Sequence, residues 1–349
     1  MPSQNPPFEI TPKILTDIAE IAELVGKISS AQSLSSSPTL RRANRIRTIH
    51  GSLAIEQNTL SIEQVTAVLQ GKTVLAPPKD IAEVQNAYEI YEHMDALDPY
   101  SIDALLSAHG VMMRGLVGEA GCFRSRPVGV VNHQGEILHF GTLPDYVPGL
   151  VADLLDWTKD SSLPMLLKSC VFHYEFELIH PFADGNGRVG RLWHTLLLSK
   201  WNPLFAWLPV ESIVHNRQQE YYDTINASNS EGKSTKFILF MLSAIKSSIH
   251  EAIDMSDDVM DDKEDHNWKI VRDYLNDHAL IQNADVCRLL GVSSATANRL
   301  LRGWVQEDKL ERCRNGRVWA YKINQTKCSI ITERELNKGE RQDGGKHTK

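Results

Sequence analysis

Apolar side chains recur at three- and four-residue spacing through most of residues 10–255, which is the period of a helix with one buried face. The first such stripe consists of Ile14, Ile18, Ile21 and Val25. Pro38 is suited to the first turn of a second helix, and the pattern continues through residues 41–55. The first part of the chain is therefore predicted to be helical.

Capping side chains mark several helix boundaries. Ser61 and Gln64 have the spacing of a capping box, and Gly71 is placed to end the helix that they begin. Asp80 and Ser101 are residue types that cap the amino ends of helices, so each predicts a further helix. Later helices are expected over 145–158, 163–179, 188–201, 216–228 and 234–253.

Residues 122–141 interrupt the helical pattern. They contain Pro, several Gly and short Val-rich runs on both sides of a polar loop at 132–135. Short β-branched runs around a Gly-containing loop are typical of a β-hairpin. We therefore predict one hairpin inside an otherwise helical domain.

The carboxy-terminal part follows an acidic stretch, and we expect a linker over residues 256–266. The segments after it predict a helix, two helices joined by a turn at Gly291, and a hairpin: 267–278, 285–290, 294–305, and 310–314 with 317–323. This order is the layout of a winged helix over 267–323. The polar residues 324–349 are expected to be a disordered tail.

The composition narrows the class of protein. Of 349 residues, 42% are hydrophobic and 23% are charged, which is ordinary for a globular chain. No apolar run approaches the roughly 20 residues that span a bilayer, and residues 1–8 do not resemble a secretory signal. The five cysteines are scattered, which argues against a disulfide framework or a cysteine zinc site. We expect a cytoplasmic protein without a membrane partner.

The net charge of −7 is unevenly distributed. Residues 263–349 carry 17 Lys and Arg against 12 Asp and Glu, a net of +5, whereas residues 1–262 carry 20 against 32, a net of −12. A mildly basic terminal module is compatible with nucleic-acid binding, but this charge alone does not establish it.

Residues 180–191 hold the densest group of chemically active residue types, between two apolar segments that predict helices. Gly185 and Gly187 lie just before a helix start, where backbone N–H groups can bind an anion. Arg188 and Arg191 share the first turn and can both contact a polyphosphate.

Two more residues of this loop suit group transfer. Asp184 offers the hard oxygen that Mg²⁺ binds beside phosphate oxygens. Histidine is the residue type that ordinarily titrates near neutral pH, so His180 suits the role of a general base. With the anion cradle and the two arginines, they describe a site for phosphoryl or nucleotidyl transfer.

The same loop matches the signature H-x-F-x-[D/E]-G-N-G-R-x-x-R at every fixed position, and the chain resembles the Fic family over roughly residues 40–250. The resemblance implies an all-α fold, a Fic-type helical core with a β-hairpin flap. We assign the core to 111–255, the flap to 122–141 and a helical region to 1–110. It also implies transfer of AMP from ATP to a Ser, Thr or Tyr hydroxyl of a protein, with release of pyrophosphate.

The resemblance gives each residue of the loop a role. His180 would deprotonate the target hydroxyl, and Asp184 would hold Mg²⁺. Phe182 would anchor the loop in the core. The anion hole and the arginines for the β- and γ-phosphates would be Gly185, Asn186, Gly187, Arg188 and Arg191. ATP as substrate and Mg²⁺ are the cofactors implied.

Two other segments resemble parts of the family. Tyr221, Tyr222 and Asn229 match the adenosine-side segment, in which a tyrosine pair contacts the base and ribose and the asparagine contacts the adenine edge. The flap residues expected nearest the nucleotide are Val130, Val131, Asn132 and His133. The hairpin edge would align an extended target segment by strand addition.

Residues 52–57 resemble the inhibitory motif of the family, [S/T]-x-x-x-E-[G/N]. Ser52 and Glu56 lie one helical turn apart on one face. The resemblance implies that Glu56 pairs with Arg191, takes the place of the γ-phosphate and holds ATP unproductively. Gln57 stands where Gly or Asn is usual, which leaves the placement of Glu56 open. A mobile Glu56 could also orient a water for removal of AMP.

The segment 294–302 would be the recognition helix of the winged helix. Its candidate DNA contacts are Thr296, Asn298, Arg299 and Arg302, and the wing carries Arg312, Arg314 and Arg317. Winged helices also serve as protein-contact modules, so a DNA partner and a protein partner both remain open.

The sequence therefore predicts a nucleotidyltransferase, a protein adenylyltransferase that modifies an unidentified protein and itself and is inhibited by Glu56. One alternative is a DNA-binding regulator whose Fic domain senses a nucleotide. Another is a Fic enzyme that uses a different donor, for transfer of UMP, phosphate or phosphocholine. A homodimer, with inhibition within one chain or across two, also remains open.

Overall fold

A computed structural model of the chain describes residues 5–31, 38–131, 137–315 and 318–324. The chain divides into two compact units, Met1–Ser256 and Asp257–Lys349. The predicted tail from residue 325 onward lies outside the described residues, as do Asn132 and His133 of the predicted flap. Within the described part, no helix combines the length and the apolar character needed to cross a membrane.

The first unit is built almost entirely from helices, which confirms the predicted fold class. The helices are α1 (Pro12–Ala31), α2 (Pro38–Ile55), α3 (Ile62–Leu69), α4 (Pro78–Glu92), α5 (Ile102–Met112), α6 (Val147–Asp160), α7 (Met165–Ile179), α8 (Asn186–Trp201), α9 (Val210–Asn216), α10 (Gln218–Glu231) and α11 (Thr235–Asp277). The last of these, α11, continues past Ser256 into the second unit. Short 3₁₀ turns lie at Met94–Ala96, Pro144–Tyr146 and Pro203–Trp207.

Two of the predicted helix caps are confirmed. The Ser61 hydroxyl accepts a hydrogen bond from the Gln64 backbone, and the Gln64 side chain accepts one from the Ser61 backbone, which is the capping box at α3. The Ser101 hydroxyl accepts from the Ala104 backbone at the start of α5. These contacts involve residues three apart, which is why the sequence revealed them.

The prediction that Asp80 caps a helix was wrong. Helix α4 begins at Pro78, because the fixed φ of proline suits the first helical turn. The Asp80 carboxylate instead accepts hydrogen bonds from the backbone and hydroxyl of Thr59. It thereby ties the segment after α2 to α4.

Helices α7 and α8 form the centre of the core. They bury side chains on several faces, including Phe172, Phe176, Leu192, Trp193 and Leu196, each fully enclosed. Because apolar surface removed from water drives folding, this burial holds the two helices in place. The loop 180–185 joins them and is therefore carried on a rigid support.

The predicted hairpin is confirmed in the segment between α5 and α6. Strands β1 (Gly129–Val131) and β2 (Ile137–Phe140) pair antiparallel, with Val130 opposite His139. The register shifts between Val130 and Val131, which is a bulge-like irregularity that locally bends a strand.

The predicted linker over 256–266 is helical in the structure and belongs to α11, and the division between the two units falls at its first residue, Ser256. The stretch contains no Gly or Pro, and its Met, Glu and Lys residues favour helix, so nothing in it ends α11. The acidic run therefore lies at the boundary between the two units, although it does not interrupt the helix.

The second unit contains the two helices and the hairpin that the sequence predicted, and the helix predicted over 267–278 is the end of α11. After α11 come α12 (Asn283–Leu290), α13 (Ser294–Gln306), β3 (Leu310–Asn315) and β4 (Val318–Ile323). Gly291 turns the chain between the two helices with a φ of 63°. The strands pair antiparallel, and Ile281 forms an isolated bridge with Tyr321. The assignment of this unit as a winged helix stays a prediction.

Candidate active site

Two residues in left-handed backbone shape the loop between α7 and α8. His180 ends α7 with a φ of 52°, and Gly185 precedes α8 with a φ of 86°. Gly185 also packs closely against Met113, because a Cβ there would lie 2.6 Å from the Met113 sulfur and would displace that side chain. The loop is short, so the half-buried His180 lies only a few residues before the amino end of α8. The N–H groups at that end of the helix favour an anion.

Asn186 closes this loop from inside. Its side-chain oxygen accepts a hydrogen bond from the Phe182 backbone at 2.8 Å, and its amide donates to the Phe182 carbonyl at 2.9 Å. Asn186 is buried, so its side chain holds the loop in shape rather than facing a ligand. The anion hole predicted at 185–187 is left to the backbone N–H groups.

Phe182 is fully buried, as an anchor should be, and it stacks on His109 with the ring centroids 3.7 Å apart. His109 Nδ1 accepts from the Gly121 backbone at 2.9 Å, which leaves Nε2 to donate to the Asp184 carbonyl at 3.0 Å. Burial lowers the pKa of His109 and so favours the neutral ring that these bonds require. The sequence missed His109 because no motif spacing relates it to the loop.

Arg124 joins the loop to both sides of the hairpin. Its Nε donates to the His180 carbonyl at 2.7 Å, and its backbone N–H donates to the Pro181 carbonyl at 3.0 Å. Nη1 donates to the Arg126 carbonyl at 3.0 Å, and Nη2 donates to the Thr142 carbonyl. This buried cation at the carboxyl end of α7 also complements the helix dipole. The sequence missed Arg124 as well.

Arg188 is held by two carboxylates. Its Nη1 lies 2.9 Å from Glu83 Oε1, and its Nη2 lies 2.9 Å from Asp184 Oδ1. The side chains of Arg188 and Glu83 are each 3% exposed, and Glu83 also accepts from Asn58 at 2.8 Å. A buried pair is costly to break, so Glu83, which the sequence did not reveal, fixes the position of Arg188.

Arg191 is held by the helix that carries the predicted inhibitory motif. Its Nη2 lies 2.8 Å from Glu56 Oε1 and donates to the Ser52 carbonyl at 2.9 Å, while its Nε donates to the Ser52 hydroxyl at 3.2 Å. Burial acts to lower the pKa of Arg191, whereas Glu56, Tyr221 and Glu177 together raise it, and the net direction is upward. Arg191 is therefore always charged. All these contacts form within one chain.

Gly187 lies directly beneath the Arg191–Glu56 pair. A Cβ at this position would collide with Glu56 Oε1 and would lie 2.8 Å from Arg191 Nη1. The Glu56 carboxylate thus occupies the first turn of α8, where the helix dipole stabilises negative charge. Gly187 is required so that an anion can come this close to the backbone.

Two buried arginine nitrogens of this site have no hydrogen-bond partner among the described residues. They are Nε of Arg188 and Nη1 of Arg191. Buried donors are rarely left without a partner, and both belong to side chains that the signature assigns to phosphates. An anion bound at this site could accept hydrogen bonds from both nitrogens.

Gln57 occupies the last position of the predicted inhibitory motif, where Gly or Asn is usual. It adopts a φ of 67°, the left-handed conformation that Gly or Asn adopts most readily. The Gln57 N–H bonds to the Ala54 carbonyl and the Asn58 N–H bonds to the Leu53 carbonyl, which is a Schellman motif that ends α2. Gln57 therefore preserves the helix end, and Glu56 is placed on Arg191 despite the departure from the motif.

Glu177 is a second carboxyl group beside this pair, one turn before His180. Its side chain is 14% exposed, and its Oε1 would lie 3.0 Å from a Cβ at Gly190. Burial raises the pKa of Glu177 to about 7, while Arg191 acts to lower it and Glu56 acts to raise it. No feature of the sequence distinguished Glu177 from other helical glutamates.

The structure separates the residues of the predicted adenosine-side segment. The ring of Tyr221 lies in the core, and its hydroxyl is 3.2 Å from His173 Nε2. Tyr222 is only partly buried, and Asn229 Oδ1 accepts a hydrogen bond from the Tyr174 hydroxyl at 2.8 Å. Tyr221 thus packs the core, which leaves Tyr222 and Asn229 as candidates for contact with a nucleoside.

Comparison with known proteins agrees with this geometry. Residues 99–198 match the model of the Fic/DOC family. A crystal structure of a Fic family protein from Desulfovibrio desulfuricans G20 is similar, with a TM-score of 0.70 and 40% sequence identity, over 92% of this chain and 99% of that chain. This chain belongs to the Fic family.

Curated relatives of this Fic protein include the protein adenylyltransferases fic-1 of Caenorhabditis briggsae and Caenorhabditis elegans. Each is 30% identical over 222 residues, which is 59% of this chain and 40% of the relative. The chain therefore spans less than half the length of these relatives. A Fic domain protein from Bacteroides thetaiotaomicron shares the fold, with a TM-score of 0.58 at 23% identity.

Asp184 is the residue of this Fic protein that fits a divalent cation. Its carboxylate is 50% exposed, and Oδ1 accepts from the Gly185 backbone at 2.6 Å and from Arg188. Oδ2 makes no hydrogen bond with a described residue. The described residues include no group of three His, Cys, Asp or Glu that could hold a metal. An Mg²⁺ ion that binds mainly phosphate oxygens needs only one such protein ligand, so the residues fit it.

The described residues among the predicted flap and DNA contacts lie on the hairpin strand β1 and on helix α13 of this Fic protein. Val130 and Val131 are on β1 of the hairpin. Asn298, Arg299 and Arg302 are exposed on α13. Thr296 is at the start of α13, where its backbone N–H donates to the Ser293 hydroxyl and its own hydroxyl lies 3.0 Å from the same oxygen. Thr296 therefore completes the helix cap.

Proposed function

We propose that this protein transfers AMP from ATP to a Ser, Thr or Tyr hydroxyl of a protein, itself included, and that Glu56 restrains the transfer. The observation that carries the proposal is the ion pair between Arg191 and Glu56 at 2.8 Å, because it joins an intact signature to the inhibitory segment. The names of the Caenorhabditis relatives, protein adenylyltransferase fic-1, support the same activity.

His180 supplies the general base in this proposal. The target hydroxyl oxygen attacks the α-phosphorus, the bond from that phosphorus to the leaving oxygen breaks, and pyrophosphate departs. The His180 ring takes the hydroxyl proton as the new P–O bond forms. Because Arg124 binds the His180 carbonyl at 2.7 Å, the backbone that carries the base is held in one place.

Arg188 and Arg191 supply positive charge for the phosphates. The donors without a partner, Nε of Arg188 and Nη1 of Arg191, and the N–H groups at the start of α8 are fixed before a ligand arrives. Such preorganised charge stabilises a transferring phosphoryl group with little rearrangement. Mg²⁺ held by Asp184 would neutralise phosphate charge when ATP is bound.

Glu56 competes with a phosphate for Arg191. Its carboxylate already lies on Nη2 of Arg191 and over Gly187, at the end of α8 that favours negative charge. Two anions in that place would repel each other, so a γ-phosphate reaches Arg191 only when Glu56 leaves. Since the pair forms within one chain, we propose that the restraint acts in cis.

The experiment compares wild type, Glu56→Gly and Gln57→Gly, each incubated with Mg²⁺ and ATP and analysed by intact-protein mass spectrometry. Glu56→Gly should gain AMP severalfold faster than wild type, because Arg191 is released. Gln57→Gly is the matched control: it also places glycine at the end of α2 but keeps the carboxylate, so its rate should stay near that of wild type.

His180→Ala completes the set, with ATP binding measured by calorimetry. It should bind ATP but gain no AMP, because the base is lost while the phosphate contacts remain. Equal rates for Glu56→Gly and wild type would refute the restraint. An adduct of a different mass, seen with UTP or CDP-choline but not with ATP, would refute the donor, and no adduct with any donor would refute the transfer.

A further inference from the structure

The outer face of α13 in the second unit is exposed and polar. Its inner face buries Ala297, Leu300, Leu301 and Trp304 in the core of the unit. The exposed positions include Ala295, Asn298, Arg299, Arg302 and Gln306, which line a shallow depression along the helix. This face presents no large apolar side chain.

The two arginines of this face have no acidic partner among the described residues. Helix α13 itself contains no Asp or Glu. Three acids near it in the sequence are paired with other cations: Asp285 with Arg288, Glu307 with Lys309, and Glu311 with Lys322. The charges of Arg299 and Arg302 are therefore uncompensated within the described unit, and they favour an anionic ligand.

The β3–β4 hairpin of the same unit carries two more arginines for which no ion pair is seen among the described residues. Arg312 and Arg314 lie on one face of β3 because they are two residues apart. Their guanidinium carbons lie 3.6 Å and 5.0 Å from the ring centroid of Trp319 on β4. A cation–π contact orients a guanidinium without neutralising its charge, so these groups are held ready for an anion.

We propose that α13 and the β3–β4 hairpin form a binding site for duplex DNA. Helix α13 would enter the major groove, where Asn298 suits an adenine edge, and Arg299 and Arg302 suit a guanine edge or a phosphate. Arg312 and Arg314 would bind the phosphate backbone beside it. A protein-binding face of this kind would instead carry a buried apolar centre, which the exposed side of α13 lacks.

The full-length chain tests the proposal by fluorescence anisotropy with a labelled random-sequence duplex of about 30 base pairs, long enough for several helical turns. Affinity should fall as salt rises from about 50 to 200 mM, because bound cations displace counterions from the duplex. Arg299→Ala with Arg302→Ala should weaken binding at least about tenfold and reduce the slope of log affinity against log salt by about 0.9 per lost phosphate contact. Arg312→Ala with Arg314→Ala should also reduce that slope.

The matched control is Lys269→Ala with Arg272→Ala on α11, which removes the same charge outside the proposed site. It should leave affinity and slope close to wild type, with circular dichroism confirming that all variants are folded. Equal losses in the control and in the α13 variant would overturn the proposal, as would binding that does not depend on salt. Polyglutamate that competes as well as DNA would also overturn it, in favour of an acidic protein partner. The proposal is independent of AMP transfer, so His180→Ala should bind DNA normally.

Discussion

Gln57 is a residue whose backbone conformation conflicts with its side chain. A left-handed φ costs a residue with a Cβ about 1–2 kcal/mol, while glycine adds roughly 0.5–1 kcal/mol of unfolded-state entropy. At a φ of 67°, Gln57→Gly should therefore raise the free energy of unfolding by about 0.5–1 kcal/mol. Urea denaturation measures this change, with Gln57→Ala as the control that keeps the strain. A less stable glycine variant would contradict the assignment.

Glu177 makes a second prediction at the scale of the residue. Burial raises its folded pKa to about 7, above the value of about 4.3 expected in the unfolded chain. A group that binds its proton more tightly in the folded protein stabilises at low pH and loses that contribution as the pH rises from about 4.3 towards 7. Glu177→Gln should therefore gain stability relative to wild type between about pH 5 and pH 8.

Urea titrations at the two pH values check this expectation. Glu63→Gln is the control, because the hydrogen bond from the Ser61 hydroxyl lowers the pKa of Glu63 and it stays ionised across this window. A constant difference between Glu177→Gln and wild type would show that Glu177 is already ionised in the folded protein.

At the scale of the element, the placement of Glu56 depends on how α2 packs against α9. A Cβ at Gly51 would lie 2.8 Å from the Ser212 backbone, so the two helices are in near-contact at that point. Gln218 also donates a hydrogen bond to the Ile55 carbonyl at 3.0 Å, which holds the end of α2. The proposed inhibitory helix, α2, is thus held by main-chain contact, and glycine is the residue that permits this contact.

Gly51→Ala should destabilise the protein by about 1–3 kcal/mol, because the clash is with backbone and not with a movable side chain. The clash should also shift α2 and so move Glu56 away from Arg191. AMP incorporation should therefore rise. Thermal unfolding and the mass assay report the two effects. Gly26→Ala is the control: the position is exposed in α1 with no atom within 4 Å of the added Cβ, so it should gain about 0.5–1 kcal/mol. Identical behaviour of the two alanine variants would contradict the packing argument.

At the scale of the whole molecule, the described residues form two separate hydrophobic cores. One runs from Ile14 to Ala252, and the other runs from Val271 to Tyr321, with no residue in common. A fragment ending at Ser256 should therefore fold with a single cooperative transition and keep the Arg191–Glu56 pair. Its AMP incorporation should match that of the full chain, with the same severalfold rise for Glu56→Gly. Calorimetry and the mass assay check this, and a fragment that fails to unfold cooperatively would contradict it.

The residues that the sequence identified correctly are those whose partners lie within a few positions. Ser61 and Gln64 form the predicted capping box, and the apolar periods of α7 and α8 frame the signature loop. The difference between Gln57 and the Gly or Asn usual in the motif was also visible in the sequence. The left-handed backbone of Gln57 was shown only by the structure. Patterns of this kind depend on helix geometry alone, so they survive without knowledge of the fold.

The groups that support the site could not be predicted in this way. Glu83, His109 and Arg124 hold Arg188, Phe182 and His180, yet each lies on an element far from the loop in sequence. No period or motif relates these residues to the loop, because their contacts arise when separate helices pack together.

The sequence by itself determined the helical class, the hairpin, the signature loop and the candidate inhibitory helix, because each of them depends on residues that are close together in the sequence. Only the tertiary structure decided that Asn186 closes the loop, that Tyr221 packs the core and that Glu56 lies on Arg191 at 2.8 Å. The physical reason is that burial and ion pairing depend on which distant surfaces meet. A side chain's chemistry can be read from the chain, but its partner is chosen by the packing of the whole domain.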